Sequence, residues 1–300
     1  MIRPITEADL WDTDSCPTCG STAPRSVVTR ANESPRVDWL ACPVCCGASL
    51  SRMPSDEYLD VYYDGYYDSH RRPAAVDDAM WPKLARHILK ELRLDGTENH
   101  AFRILDFGGG RGGVSMTIAK QLARKRPVTV TIADLSFEQS HESRTEHGID
   151  VEYVRRLSQV EGKFDLVIAS AVLEHIPRVA PVLGDLLEKI RDSGGSFYAR
   201  TPYGLPLRRL YPKYDLGFPQ HVHDLGPSFW NRLMDRHGIR ARLVVSQPSI
   251  VESFLWERPV VTIAANILKI PGRAERWIRH SPKDYLWNWV GGWELFLTKA

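Results

Sequence analysis

Charge of one sign is what this chain of 300 residues has little of: 39 basic against 37 acidic residues leave a formal net charge of +2. That is too weak a field to imply nucleic acid or an anionic membrane as the partner. No stretch reaches the ~18 uncharged apolar residues needed to cross a bilayer, and the acidic N-terminus lacks the basic-then-apolar order of an export signal. A cytoplasmic location is the expectation. Cysteine is scarce too, with five in all. Without an export signal, four of them in two Cys-x-x-Cys pairs favour a metal site over disulfides. What remains is ordinary globular material, 43% hydrophobic and 25% charged, enough for one large domain or two modest ones.

Composition changes twice along the chain. Residues 1–52 hold every cysteine and few apolar runs, too little for an unaided core, so a metal cross-link is expected there. Residues 53–100 read as a tyrosine-dense connector over 54–68 followed by an amphipathic helix over 74–94, with Ala85, Ile88, Leu89 and Leu92 at helical spacing.

From residue 101 onward, strand and helix signals alternate, which predicts a parallel sheet with helices on both faces. Strands are expected at 102–107, 128–133, 151–154, 164–170 and 195–200, with helices at 114–124, 137–147, 179–191 and 227–237. Two late strands at 241–246 and 293–298 flank a mostly helical insertion over about 249–290. The fold class expected is therefore α/β: a Rossmann-like sheet of seven strands, mostly parallel with the last antiparallel, plus a small zinc-ribbon-like N-terminal module.

The run Asp106-Phe107-Gly108-Gly109-Gly110-Arg111-Gly112 lies between the first strand and its helix. Glycine there permits positive φ and close approach of a ligand. A pyrophosphate would use the helix N-terminus, yet a carboxylate opening the loop opposes it and suits the ammonium of S-adenosylmethionine. Asp134, 28 residues on at the end of the second strand, is placed to accept ribose hydroxyls. The adenine contact stays open, because Arg155 and Arg156 stand where an acid or amide is expected and Ser158 is a weak candidate.

Cys16, Cys19, Cys42 and Cys45 are spaced Cys-x2-Cys-x22-Cys-x2-Cys, which suits two knuckles around one structural zinc. Cys46 competes with Cys45 as the fourth ligand. Zinc ribbons often touch nucleic acid, but residues 1–60 carry five arginines against nine acids, a net −4, the wrong sign for phosphate.

Taken with Phe164-Asp-Leu-Val-Ile-Ala-Ser170-Ala-Val-Leu-Glu174-His175, the tyrosine-rich stretch 60–67 and Gln220-His221-Val-His223, these motifs give a chain that resembles, over nearly its whole length, the class I S-adenosylmethionine-dependent methyltransferases with an N-terminal four-cysteine module, often associated with glycan or small-molecule tailoring. The resemblance implies that Glu174 and His175 stand at the acceptor rim and that His221 or His223 lies in the loop covering it. It also implies cofactor contacts along Asp106, Phe107, Gly108, Gly110, Gly112, Asp134, Leu135 and Ser170.

Methyl transfer to a hydroxyl needs a base, so His175, His221 and His223 are the candidates; Glu174 would orient a histidine, touch the cofactor or cap the next helix. The expected acceptor is a small molecule or glycan, with a sugar hydroxyl leading. The alternatives are an RNA methyltransferase and a non-catalytic zinc-bearing binding protein that keeps the fold. The insertion, with Trp256, Trp277, Trp287 and Trp289, fits core packing, a homodimer contact or a peripheral membrane contact.

Overall fold

The computed structural model of the protein describes residues 3–69, 74–94, 100–137, 141–250, 259–279, 285–287, 289 and 291–300. The N-terminal module contains β1 (Leu10–Asp12), β2 (Ser26–Asn32), β3 (Val37–Ala41), β4 (Ala48–Leu50) and β5 (Arg52–Pro54). β1 pairs antiparallel with β5, and β2, β3 and β4 form an antiparallel meander. Its small core is Val37, Trp39, Leu50 and Met53, each at most 1% exposed, so burial of a few large side chains at about 1.5–3 kcal/mol each has to be supplemented by the cysteine cluster.

The tyrosine-dense stretch is a helix, α1 (Asp56–Ser69), followed by α2 (Ala74–Leu92). Then come β6 (Phe102–Phe107), α3 (Gly113–Leu122), β7 (Val128–Ala133), β8 (His141–Glu146), β9 (Ile149–Val154), β10 (Leu166–Ser170), α4 (Val179–Lys189), β11 (Ser196–Tyr203) and α5 (Leu205–Leu210). The chain finishes with β12 (His223–Asp224), α6 (Pro227–Arg236), β13 (Ala241–Pro248), α7 (Pro259–Arg279) and β14 (Gly291–Lys299). Leu255 and Trp256 of the insertion lie outside the described residues.

The large sheet has eight strands in the order β13-β14-β11-β10-β6-β7-β9-β8. Its centre is parallel; β14 runs antiparallel to both β11 and β13, the late pair that the sequence predicts. Adjacent residues on each central strand go to opposite faces, as a period of two requires. Leu105, Val167, Phe197 and Leu297 pack with α4 and α6, whereas Ile104, Ile168, Tyr198 and Phe296 pack with α2 and α3. Burial on both faces explains why these strands are continuous apolar runs.

One expected helix is absent. Residues 141–146 form the exposed edge strand β8, joined to β9 through His147 and Gly148, both at positive φ. A two-residue turn of that hand suits a tight hairpin, and it adds the eighth strand. A second departure concerns the module: β12, far along the chain, pairs with β4, so the four-stranded order is β12-β4-β3-β2.

Candidate active site

The glycine loop leaves the sheet where parallel β6 and β7 end side by side, with Phe107 in register with Ala133. Asp106 is 3% exposed and accepts a hydrogen bond from the Ser115 hydroxyl at 2.6 Å. Burial, helped by the nearby charge of Asp134, raises its pKa to about 6. Asp134 accepts the Gly110 N–H at 2.8 Å on one oxygen and the Ser136 N–H and hydroxyl at 2.9 and 2.6 Å on the other. Both acids therefore stand on one rim, and the second is tied to the loop that the first opens.

The glycines divide by role. A Cβ on Gly108 would lie 2.3 Å from Val172, and one on Gly112 would lie 2.4 Å from Ile132, so these two serve chain packing as well as positive φ. Gly110, at φ +53, faces open space, and it is the position where a ligand gains room. Phe107 is half-buried against the core, Leu135 is exposed, and the Ser170 hydroxyl receives Arg200 Nε at 3.3 Å.

S-adenosylmethionine fits this set on chemical grounds. Two carboxylates and a narrow backbone opening suit a cationic nucleoside; a pyrophosphate would meet like charge at Asp106. The raised Asp106 also marks a buried acid that a cation would stabilise in its charged form.

Beyond β10 the chain turns at Ala171, φ +57, into a single tight turn over Leu173–His175. Glu174 is 3% exposed, its Oε2 has no partner in the protein, and burial raises its pKa. His175 Nδ1–H donates to the Gln220 carbonyl at 2.9 Å, and His221 Nδ1–H donates to the Leu216 carbonyl at 3.1 Å. A carbonyl only accepts, so the tautomers are fixed and each Nε2 keeps its lone pair. Burial lowers both pKa values. The two rings lie 5.0 Å apart, and one ligand atom from each of Glu174, His175 and His221 lies within 4.8 Å of the others. That triangle can hold a proton, and a divalent cation would also find three donors there.

His223 does not join them. Its ring is fully buried, Nδ1 accepts from the Ser49 hydroxyl at 2.8 Å and Nε2–H donates to the Ile176 carbonyl at 2.8 Å. With both nitrogens engaged it has no lone pair for a substrate, which corrects its expected place among the bases. Residues that sequence reasoning passed over complete the site: Ser115 under Asp106, Tyr63 edge-on to His175 at 5.9 Å, and Trp81, whose indole covers Gly113. The tyrosine-rich run hinted at Tyr63; nothing local marks Ser115 or Trp81.

In the module, Sγ atoms of Cys16 and Cys45, and of Cys19 and Cys42, are 3.8 Å apart. A tetrahedron with metal–sulfur bonds of about 2.3 Å has sulfur–sulfur edges of about 3.8 Å, whereas a disulfide is about 2.05 Å long. All four cysteines are buried, and Cys46 points to solvent. Each pair sits in a knuckle, with Gly20 N–H on the Cys16 carbonyl at 2.7 Å and Cys46 N–H on the Cys42 carbonyl at 3.0 Å. The hydrogen bond shared with Cys45 draws the Cys16 thiol well below its ordinary value and pushes Cys45 far up; a cation would replace that shared proton. The cluster packs against Phe229, Trp230 and Leu233 of α6.

A family described as a methyltransferase domain matches residues 68–243. A ubiquinone biosynthesis O-methyltransferase of Nitrosococcus oceani is 29% identical over 151 residues, covering 46% of this chain and 63% of the relative. One of Neisseria meningitidis serogroup A is 30% identical over 171 residues, covering 50% and 70%. The chain thus spans a little under two thirds of the Nitrosococcus relative's length. Among solved structures, the plantazolicin methyltransferase BpumL in complex with a monoazolic desmethylPZN analog and SAH aligns at a TM-score of 0.46 and 12% identity, covering 81% of this chain and 90% of that one.

Proposed function

The chain belongs to the methyltransferase-domain family, and from that membership we propose that it transfers the methyl group of S-adenosylmethionine to a hydroxyl oxygen of a small molecule, with His175 or His221 as the base. The observation that carries the cofactor half is the shared rim of Asp106 and Asp134, joined through Gly110. O-methyl transfer accords with the names of the relatives, and the two free Nε2 lone pairs accord with an acceptor that must lose a proton.

Bound S-adenosylmethionine supplies an activated methyl on a sulfonium. Asp134 would take the ribose hydroxyls, Asp106 and its loop the methionine end, and Phe107, Leu135 and Ser170 the surrounding surface. With His175 and His221 held by their Nδ1–H bonds, a free Nε2 would take the proton that the acceptor hydroxyl loses when its oxygen receives the methyl group. Glu174, unpartnered at one oxygen, would offset the charge gained by His221.

Among the described residues, a recess between the module and the segment after β11 shares no lining residue with the Asp106–Asp134 rim or with His175 and His221. This cavity of about 390 Å³ is lined by Tyr203, Leu205, Arg209, Asp224, Trp289 and module residues including Cys46. Aromatic faces, a guanidinium and a carboxyl converge there, the lining expected for a polyhydroxylated ring such as a sugar. The four cysteines would hold a structural zinc, since a four-thiolate site leaves no open position for catalysis.

The test is calorimetry with S-adenosylmethionine, S-adenosylhomocysteine and NAD, followed by labelled-methyl transfer to panels of nucleotide sugars, phenols and RNA. Binding of NAD alone overturns the cofactor; transfer to RNA alone overturns the acceptor class.

A further inference from the structure

Helix α7 faces the wrong way for a surface helix. Val260, Ile263, Ile267, Ile270, Trp277 and Ile278 are all more than half exposed. Lys269 is fully buried, with its ammonium on the Ser249 carbonyl at 2.5 Å, and Arg276 pairs inward with Glu91 at 2.6 Å. A helix on its own domain ordinarily turns its apolar stripe to the core and its charges to water. At these positions, spread from 260 to 278, this one does the reverse.

We propose that the stripe is covered by the same stripe of a second copy of this chain, packed antiparallel about a two-fold axis. Positions 260, 263, 267, 270, 274 and 277 alternate steps of three and four, the spacing of a narrow helix–helix seam. An axis crossing the seam between residues 268 and 269 sets Val260 against Trp277, Ile263 against Ala274 and Ile267 against Ile270, so that one operator serves all three pairs. Two of the three join a larger side chain to a smaller one. A parallel pair would instead oppose Trp277 to itself and Ala274 to itself, leaving a clash and a gap.

Area agrees. Trp277 is 82% exposed, and Leu286, held beside the helix by its N–H on Glu275 at 2.8 Å, is 88% exposed. With the aliphatic residues they offer on the order of 800 Å² a side, the size of a standard specific interface. Among the described residues charge agrees as well: Lys269 and Arg276 point inward, and Arg279 is paired with Glu275 on the helix's own surface at 2.5 Å. An anionic lipid surface would draw on a free cationic rim.

Light scattering and sedimentation on the full chain should give twice the 34.1 kDa mass at micromolar concentration. Ile267→Asp with Ile270→Asp should weaken the dimer at least ~100-fold while leaving far-UV circular dichroism intact, because both side chains are exposed; melting should fall only to that of the dissociated chain. In a Cys46→Ser background, Ile263→Cys combined with Ala274→Cys should cross-link between chains, and Ile263→Cys alone should not. A monomer at ~100 µM, a dimer indifferent to the aspartates, or a monomer that co-sediments with anionic vesicles each overturns the proposal.

Discussion

His223 accepts the hydroxyl of Ser49 at 2.8 Å, a bond that joins the N-terminal module to the rim of the large sheet. The same segment carries the connection through the backbone: Leu50 N–H donates to the Val222 carbonyl at 3.1 Å, and Val222 N–H donates to the Glu174 carbonyl at 2.8 Å. The module thus buttresses the turn that presents Glu174 and His175. A metal in the knuckles would act on catalysis through this route, by positioning.

The buttress makes stability depend on pH in a definite direction. Burial lowers His223 to about 4, against about 6.5 in an unfolded chain. The unfolded state binds the extra proton, so stability is full above pH 6.5 and falls as pH drops toward 4, by up to about 3 kcal/mol. His223→Gln should be less stable than the wild type at pH 8, and the gap in denaturation midpoints should narrow by pH 5. A gap constant across that range refutes the assignment.

Asp134 holds both the loop and the proposed ribose contact. Asp134→Ala should weaken S-adenosylhomocysteine binding ~10–100-fold, the cost of about 1.5–3 kcal/mol for bonds to a charged acceptor. Asp106→Asn keeps the shape but removes the charge, and should weaken S-adenosylmethionine and S-adenosylhomocysteine alike, because both carry the ammonium that Asp106 is proposed to face. Unchanged affinity for both ligands would show that Asp106 only shapes the loop.

How far the sequence reveals all this depends on where the determining partner lies. β6 and β7 are readable because burial on both faces leaves Phe102–Phe107 and Val128–Ala133 largely apolar. β8 was hidden: His-Glu-Ser-Arg-Thr-Glu is exposed along its length but for a half-buried last residue, so no alternation marks it, and its hairpin partner β9 decides its state. The His147-Gly148 turn was the available signal. Likewise His223 looked like His221, because only the strand pairing to β4 separates a staple from a candidate base. The Asp106 loop was legible since its partners are local, whereas Ser115 and Trp81 depend on helix placement.

Metal should track Cys45 and ignore Cys46. The purified chain is expected to carry one zinc, and Cys19→Ser or Cys45→Ser should lose it and lower the melting temperature, because the cluster shares a core with Trp230. Cys46→Ser should stay within ~0.5 kcal/mol of the wild type, as an exposed residue does. Zinc loss on changing Cys46 would redraw the site.

Gly108 and Gly110 should respond differently to a methyl group. Gly108→Ala forces Val172 to move and should cost stability with or without ligand, on the order of 1–3 kcal/mol. Gly110→Ala shares the strain of a positive φ, at +53°, but its methyl meets no atom within 4 Å in the free protein, so relative to Gly108→Ala its loss should fall more on cofactor affinity than on melting. Equal effects at both positions would mean that the cofactor lies elsewhere.

The base is identified by the acid limb of the rate profile. His175 and His221 are both drawn below 6.5 by burial, so the free lone pairs persist at pH 7 and are lost only as pH falls below 6.5. Either His→Asn change at the true base should cut kcat ~10²–10⁴-fold. The charge of His175 lowers the pKa of His221, and that of Glu174 raises it. If His221 is the base, Glu174→Gln therefore moves the acid limb to lower pH, while His175→Asn moves it up. If His175 is the base, His175→Asn removes activity, whereas His221→Asn and Glu174→Gln leave the limb near its wild-type position, since burial and the bond to Gln220 account for the His175 shift. A limb that stays fixed in all three variants, with kcat intact, excludes both histidines.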